Sequence, residues 1–238
     1  VKNYLSFGGG VNSVALYLLM QDMGIEFEAV FIDHGGDLPA TYDYVQYFIS
    51  TGRPITVLNP NVEGFSNIYD YYLFKKKVPS IMKRDCTDKF KLRPFYKYAG
   101  KPCFVMLGID AGEQHRARLN SKKGIENRYP LIEENIDREG CEELIRSHGL
   151  KVPPKSGCFF CMFQKKSQWR AMRRNDPALF CKAQTLEKET MRERKRFGTK
   201  PFTLLGNGHT LGDLINDKQH ALPGMEDDVL YPPCQCGL

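Results

Sequence analysis

Apolar residues along this chain follow two periods, and the switches between them predict the elements. Tyr4, Leu5 and Phe7 form a short apolar run that predicts a first strand. From Val11 onward Val14, Ala15, Leu18 and Leu19 recur at helical spacing. Between the two lie three consecutive glycines, Gly8 to Gly10. Phe27–Asp33 predicts a second, buried strand ending in an acid, and Pro39 then opens a helix to about Ser50 at a first-turn position that proline tolerates. Pro54–Leu58 predicts a third strand, Phe65–Lys77 a helix and Pro102–Gly108 a fourth strand. The short apolar segment Tyr129–Ile132 is the candidate fifth strand. Asp137–His148 is amphipathic, with Cys141, Leu144, Ile145 and His148 on one face, Asp137 as N-cap and Gly149 as C-cap. Lys165–Arg174 and Pro177–Arg196 predict two further helices.

The β-α-β-α-β order predicts an α/β fold, a doubly wound parallel sheet with right-handed crossovers. Ligands of such sheets bind at the carboxyl ends of the strands. The glycine turn, Asp33 and the run Ile109–Arg116 therefore share one edge. Pro153 and Pro154 break the chain. They divide it into an expected nucleotide-binding α/β domain, 1–152, and a cysteine-bearing helical region, 153–238, packed on it.

A glycine-rich strand-to-helix turn is a phosphate cradle in physical terms. Glycine admits positive φ and close approach of a ligand, and the helix start presents unpaired N–H groups with partial positive charge. Ser6, Gly8, Gly9, Gly10, Asn12 and Ser13 are the candidate cradle. No Gly-Lys-Ser/Thr follows, so this is no Walker A loop, and the glycines are contiguous, unlike a dinucleotide fingerprint. The plainer alternative is an ordinary glycine-rich turn. Asp33 is placed to accept hydrogen bonds from a ribose or adenine, or to cap a turn.

With 238 residues, 42% of them hydrophobic, the chain can bury a core. It contains no apolar run of membrane-spanning length and begins on a strand, not a signal peptide, which leads us to expect a cytoplasmic protein without membrane contact. The net charge of +6 favours an anionic partner. Residues 165–196 hold eleven Lys/Arg against four Asp/Glu, more excess than the whole chain carries. Such a basic helical region suits nucleic-acid phosphates or is a solvated helix pair. Five of the twelve residues in 83–94 are basic and interleave with Cys86, which suits a polyphosphate or sulfate-bearing ligand.

Eight cysteines sharpen the picture through their spacing. Cys158-x-x-Cys161 places two thiolates on a tight turn, Cys234-x-Cys236 forms a second pair, and Cys86 sits in a polar stretch. Four thiolates suit structural zinc or a four-iron cluster, and a redox pair is a third option. Cys103, Cys141 and Cys181 read as core or surface residues.

Gly8-Gly9-Gly10-Val11-Asn12-Ser13 resembles the PP-loop of the N-type ATP pyrophosphatases and PAPS-reductase-like proteins, usually Ser-Gly-Gly-x-Asp-Ser, with Gly8 and Asn12 as departures. Cys86-Thr87 with Lys91 and Pro94 resembles the family's Cys-(Cys/Thr)…Lys…Pro element, and Gly108…Glu113…Arg116 its Gly-Ile-x-x-x-Glu-x-x-Arg element. Tyr129-Pro130-Leu131, Ser156-Gly157-Cys158 and Trp169…Asp176-Pro177 are similar to a phage and prokaryotic branch. The resemblance implies ATP with magnesium on the glycine loop, its adenine and ribose near Asp33, and Cys86, Lys91 and Arg116 as catalytic candidates. Lys89 and Arg93 are further candidate phosphate partners. It implies a 4Fe-4S cluster, with zinc as the alternative, on Cys86, Cys158, Cys161 and one of Cys234 and Cys236. The implied function is ATP-dependent, adenylating sulfur transfer or related modification, with tRNA or DNA as substrate and a sulfur-donor protein as partner. An adenylyl-sulfate or PAPS reductase is the alternative, although the family's terminal Glu-Cys-Gly-Leu-His is matched only by Cys236-Gly237-Leu238. A non-catalytic, zinc-stabilised nucleotide-binding module is the third.

Overall fold

A computed structural model describes residues 1–120, 122–206 and 208–216; Cys234 and Cys236 lie outside the described residues. Five strands, β1 (Lys2–Ser6), β2 (Glu28–Ile32), β3 (Thr56–Leu58), β4 (Cys103–Leu107) and β5 (Ile125–Arg128), form a sheet of order β3-β2-β1-β4-β5. All neighbours are parallel. The α/β doubly wound class is therefore observed. Tyr4 stands opposite Glu28 on one side and Val105 on the other.

Both faces of the sheet's centre are covered, which is why β2 and β4 read as nearly continuous apolar runs. Side chains alternate across the sheet with period two. Leu5, Ala29, Phe31 and Met106 join a core with α1 (Val11–Asp22), α2 (Pro39–Ser50) and α7 (Arg138–Ser147). Tyr4, Val30, Ile32, Val105 and Leu107 face the other way, where they meet Phe95 of α5 (Arg93–Tyr98). A second core joins Ile68, Tyr71 and Tyr72 of α3 (Ile68–Phe74) to Phe159, Phe160 and two long helices, α8 (Lys166–Asn175) and α9 (Pro177–Arg196). Trp169, wholly buried, lies at its centre.

Two local expectations change, and one further segment gains its structure here. The fifth strand is Ile125–Arg128, and the predicted strand at Tyr129–Ile132 is instead α6 (Pro130–Glu133). Pro130 has no N–H for a ladder and suits the first helical turn. The more polar segment before it pairs with β4 from Cys103–Ile125 to Met106–Arg128. The helix expected over 65–77 is shorter, because Asn67 caps it by accepting from the Tyr69 and Asp70 N–H groups at 2.8 and 3.3 Å. Residues Asp85–Tyr98 form a helical run, α4 (Asp85–Thr87), a π-helical turn (Asp88–Leu92) and then α5. Arg93 N–H bonds the Asp88 carbonyl, five residues back. Pro94 explains the widening: it lacks an N–H and its ring would crowd the carbonyl four residues earlier. No described helix is long and apolar enough to cross a membrane.

Candidate functional site

β1 and β4 are neighbours whose onward connections leave toward opposite edges of the sheet. At such a switch point the strand ends part and leave a crevice. After β1 the chain turns through Gly8–Gly10, and Gly9 has φ +67°, where a β-carbon would stand 2.9 Å from Val45 Cγ2. Ser13 holds the turn together, donating from Oγ to the Gly10 carbonyl at 2.9 Å and accepting from Gly8 N–H at 3.2 Å. Gly10 is the N-cap of α1 and supplies no capping side chain, so the first N–H groups of a twelve-residue helix face the crevice without one.

The crevice is a cavity of about 610 Å³. Ser6, Gly8, Gly10, Asn12 and Ser13 line one wall. Lys83, Arg84 and Lys91 line another, and Arg116, Arg118, Arg138 and Lys155 complete the basic lining, against which stand the acids Asp37, Asp88 and Glu113. Seven basic groups against three acids make it a site for a polyanion. Arg116 ends a 3-10 turn, Ala111–Arg116, and is held by an ion pair with Glu113. Lys91 projects from the π-helical turn. Burial acts to lower its pKa, the Asp37 carboxylate acts to raise it, and the net direction is up.

Not every candidate reaches this cleft. Gly9 lies beneath the loop against Thr41 and Val45. Asp33 does not line the cavity; its carboxylate accepts from Gly35 N–H at 2.9 Å. Lys89 donates to Glu63 at 2.9 Å and to the Tyr71 hydroxyl at 2.6 Å, and Arg93 pairs with Asp88 at 2.6 Å; neither lines the cavity.

Cys86, Cys158 and Cys161, distant in sequence, line one small neighbouring cavity of about 40 Å³ with Ile68, Phe160 and Met162. Arg84 and Thr87 belong to the walls of both cavities. Burial pushes all three thiols up, Cys161 to about 11. They are neutral at physiological pH.

Sequence reasoning missed His34, Asp37 and Asp110. His34 Nε2 lies 3.6 Å from Asp37 Oδ2 and 3.8 Å from Cys158 Sγ, and Cys158 Sγ lies 3.9 Å from Asp37 Oδ1. Among the described residues these three offer donor atoms all within 4.8 Å of one another, and Cys86 and Cys161 lie outside that group. The arrangement is pinned by backbone pairing of Asp37 with Cys158, including Leu38 N–H to the Gly157 carbonyl at 2.9 Å. The spacing suits an ion, but the tautomer opposes one. His34 Nδ1 accepts from Gly36 N–H at 3.2 Å, so the neutral ring carries its proton on Nε2, aimed at Asp37 and Cys158. A ligating histidine has the reverse arrangement, with its second nitrogen donating outward. His34, wholly buried and with its pKa lowered by that burial, is a neutral ring whose Nε2 is within sulfur hydrogen-bond reach of Cys158, while Asp37 stands just beyond hydrogen-bond distance. The His-Gly-Gly-Asp spelling was visible in the sequence; the partnership with Cys158 was not.

The basic helices border the cleft through Lys155 Nζ, which donates to Gln168 of α8 at 3.1 Å. Arg173, Arg174, Lys182 and Lys188 are exposed, whereas Arg192 pairs with Glu189 at 2.6 Å and Arg196 with Glu193 at 3.8 Å.

A parallel sheet of order 3-2-1-4-5 with a glycine turn at its switch point is a doubly wound, Rossmann-like α/β fold, and it is the fold of a PAPS reductase. The crystal structure of phosphoadenylyl-sulfate (PAPS) reductase from Candida auris, a phosphate complex, matches it with TM-score 0.50 and 19% identity, covering 64% of this chain and 75% of that one. In sequence, the chain is 29% identical over 198 residues to the uncharacterized nin region protein ORF290 of Escherichia phage lambda, covering 69% of this chain. It is 30% identical over 139 residues, 57% of this chain, to the uncharacterized protein MJ0973 of Methanocaldococcus jannaschii. The matches span 66% and 32% of these relatives' own lengths. No protein-family model matches the chain.

Proposed function

We propose that this chain is an ATP-using PP-loop enzyme that adenylates its substrate for sulfur transfer or a related modification, with nucleic acid as the substrate and a metal centre on Cys86, Cys158 and Cys161. The observation that carries this reading is the shared wall: Arg84 and Thr87 border both the glycine-loop cleft and the three-thiol cavity. Nucleotide chemistry and sulfur chemistry would then meet across one side chain.

The glycine loop and Ser13 would receive the triphosphate, and magnesium would offset part of its charge. A substrate oxygen forms a bond to the α-phosphorus as the α–β phosphoanhydride bond breaks and pyrophosphate leaves. Lys91 and Arg116 neutralise the charge that develops on the leaving group, and their fixed positions lower the reorganisation cost. An iron–sulfur cluster held by three cysteines would supply one iron with an open position for sulfide. The cavity must open to admit a cluster, since about 40 Å³ has room for only a few water molecules. The exposed basic residues of α8 and α9 would meet nucleic-acid phosphates.

Anaerobic purification with iron, sulfide and zinc analysis, followed by incubation with magnesium-ATP and tRNA or DNA, tests the reading. It expects iron with sulfide, pyrophosphate on adenylation, and AMP when added sulfide attacks the adenylated carbon and its carbon–oxygen bond breaks. Sulfite release from adenylyl sulfate or PAPS without pyrophosphate would instead favour a reductase, the reading that the Candida auris neighbour keeps in view.

A further inference from the structure

Four pieces of the cleft meet at one pair of side chains. Asn12, on the first turn of α1, donates from Nδ2 to Asp110 Oδ2 at 2.8 Å and accepts on Oδ1 from Arg138 Nη1 at 3.2 Å. Asp110, 3% exposed at the end of the loop after β4, accepts on Oδ1 from Glu113 N–H at 3.1 Å. That bond caps the 3-10 turn carrying Glu113 and Arg116. The amide orientation of Asn12 follows from its neighbours: a carboxylate only accepts and a guanidinium only donates. Asparagine satisfies both, whereas an aspartate at 12 would set one carboxylate against another.

We propose that Asp110 is a positioning residue for the anion cradle: through Asn12 it sets the glycine loop, and through Glu113 N–H it sets the Arg116 turn, at one fixed spacing. Arg138 is tied to the same hub. The departure at position 12 from the PP-loop pattern is then a transfer of the negative charge from the loop to the neighbouring strand end. This inference rests on the nucleotide reading above and names how the cradle is held.

The donor–acceptor logic supplies its own test. In the double variant Asn12→Asp with Asp110→Asn, residue 12 accepts from residue 110 and from Arg138, while residue 110 still accepts from Glu113 N–H. Every bond survives with its direction across the pair reversed. In Asn12→Asp alone two carboxylates face each other. In Asp110→Asn alone two amides cannot satisfy Glu113 N–H, each other and Arg138 together. Full-length wild type, both single variants and the double variant are compared by melting temperature and by titration with magnesium-ATP and with inorganic pyrophosphate. Each single variant should melt lower and bind about tenfold or more weakly, the scale of one lost charge-assisted hydrogen bond. The double variant should recover most of both losses. Additive melting shifts, or a double variant binding no better than Asn12→Asp, would overturn the inference. If the wild type binds neither probe, the nucleotide reading fails by itself. The melting cycle then decides the linkage, with recovery supporting it and additivity ending it.

Discussion

Gly108, at the end of β4, lies directly against the backbone of Asn12 at the start of α1: a β-carbon on residue 108 would stand 2.9 Å from the Asn12 carbonyl carbon. It would stand equally close to the Ser13 nitrogen. These neighbours are backbone atoms of the cradle itself and cannot rotate away. Gly108→Ala should therefore displace the loop, costing about 1–3 kcal/mol in stability, and weaken magnesium-ATP binding in the same variant. Calorimetry and titration on one preparation check both. An alanine variant with unchanged affinity would show that the loop is not the nucleotide site.

The three thiols predict a collective effect. Cys86→Ser, Cys158→Ser or Cys161→Ser should each lower bound metal on anaerobic analysis, whereas Cys181→Ser, at an exposed helix position, should leave it unchanged. Stripping the metal should leave thiols that alkylate slowly at pH 7, because burial holds all three in the protonated form. Equal metal content in all four variants would remove the centre from this cavity.

Glu187 on α9 is a buried carboxylate that accepts from Leu204 N–H at 2.9 Å and Leu211 N–H at 2.7 Å. Burial raises its pKa above 4.5, with the two backbone bonds acting in the other direction. The native state thus favours the protonated form more than the unfolded chain does. Its contribution is fully present below the unfolded value and is lost as pH rises through the native one. Glu187→Gln keeps one acceptor and turns an amide toward the second N–H, costing about 1–3 kcal/mol. The stability difference between wild type and variant should grow as pH falls from neutral to about 4.5 and then level off. Denaturant titrations across that range read it, and a pH-independent difference would contradict the burial argument.

The basic helices predict salt-sensitive nucleic-acid binding. Reversing charge at Arg173, Arg174, Arg194 and Arg196 should weaken tRNA or DNA binding by about tenfold or more at low salt and flatten its salt dependence. Unchanged affinity would mean that the charge excess serves solvation alone. Part of that excess is already paired: Arg196 meets Glu193 at 3.8 Å. Arg173 donates to the Leu214 carbonyl at 2.9 Å, so Arg174, exposed on α8, should carry more of the loss.

What the amino-acid sequence determined by itself is what depends on local spacing. Short apolar runs and helical spacing placed β1, β2, β4 and the long helices, because burial on both faces of a strand, or on one face of a helix, imposes those patterns on the chain. Contiguous glycines marked the turn after β1, because few other residues tolerate its backbone. Tyr129–Ile132 misled because its apolar side chains imitate a strand, while the more polar Ile125–Arg128 becomes one through pairing with β4. Tertiary structure alone decided which distant groups meet. It brought Cys86 to Cys158 and Cys161, turned Lys89 and Arg93 away from the cleft, and set Asp110 against Asn12. Those partnerships depend on how strand ends and loops converge at the switch point of the sheet, and no spacing along the chain encodes a distance across it.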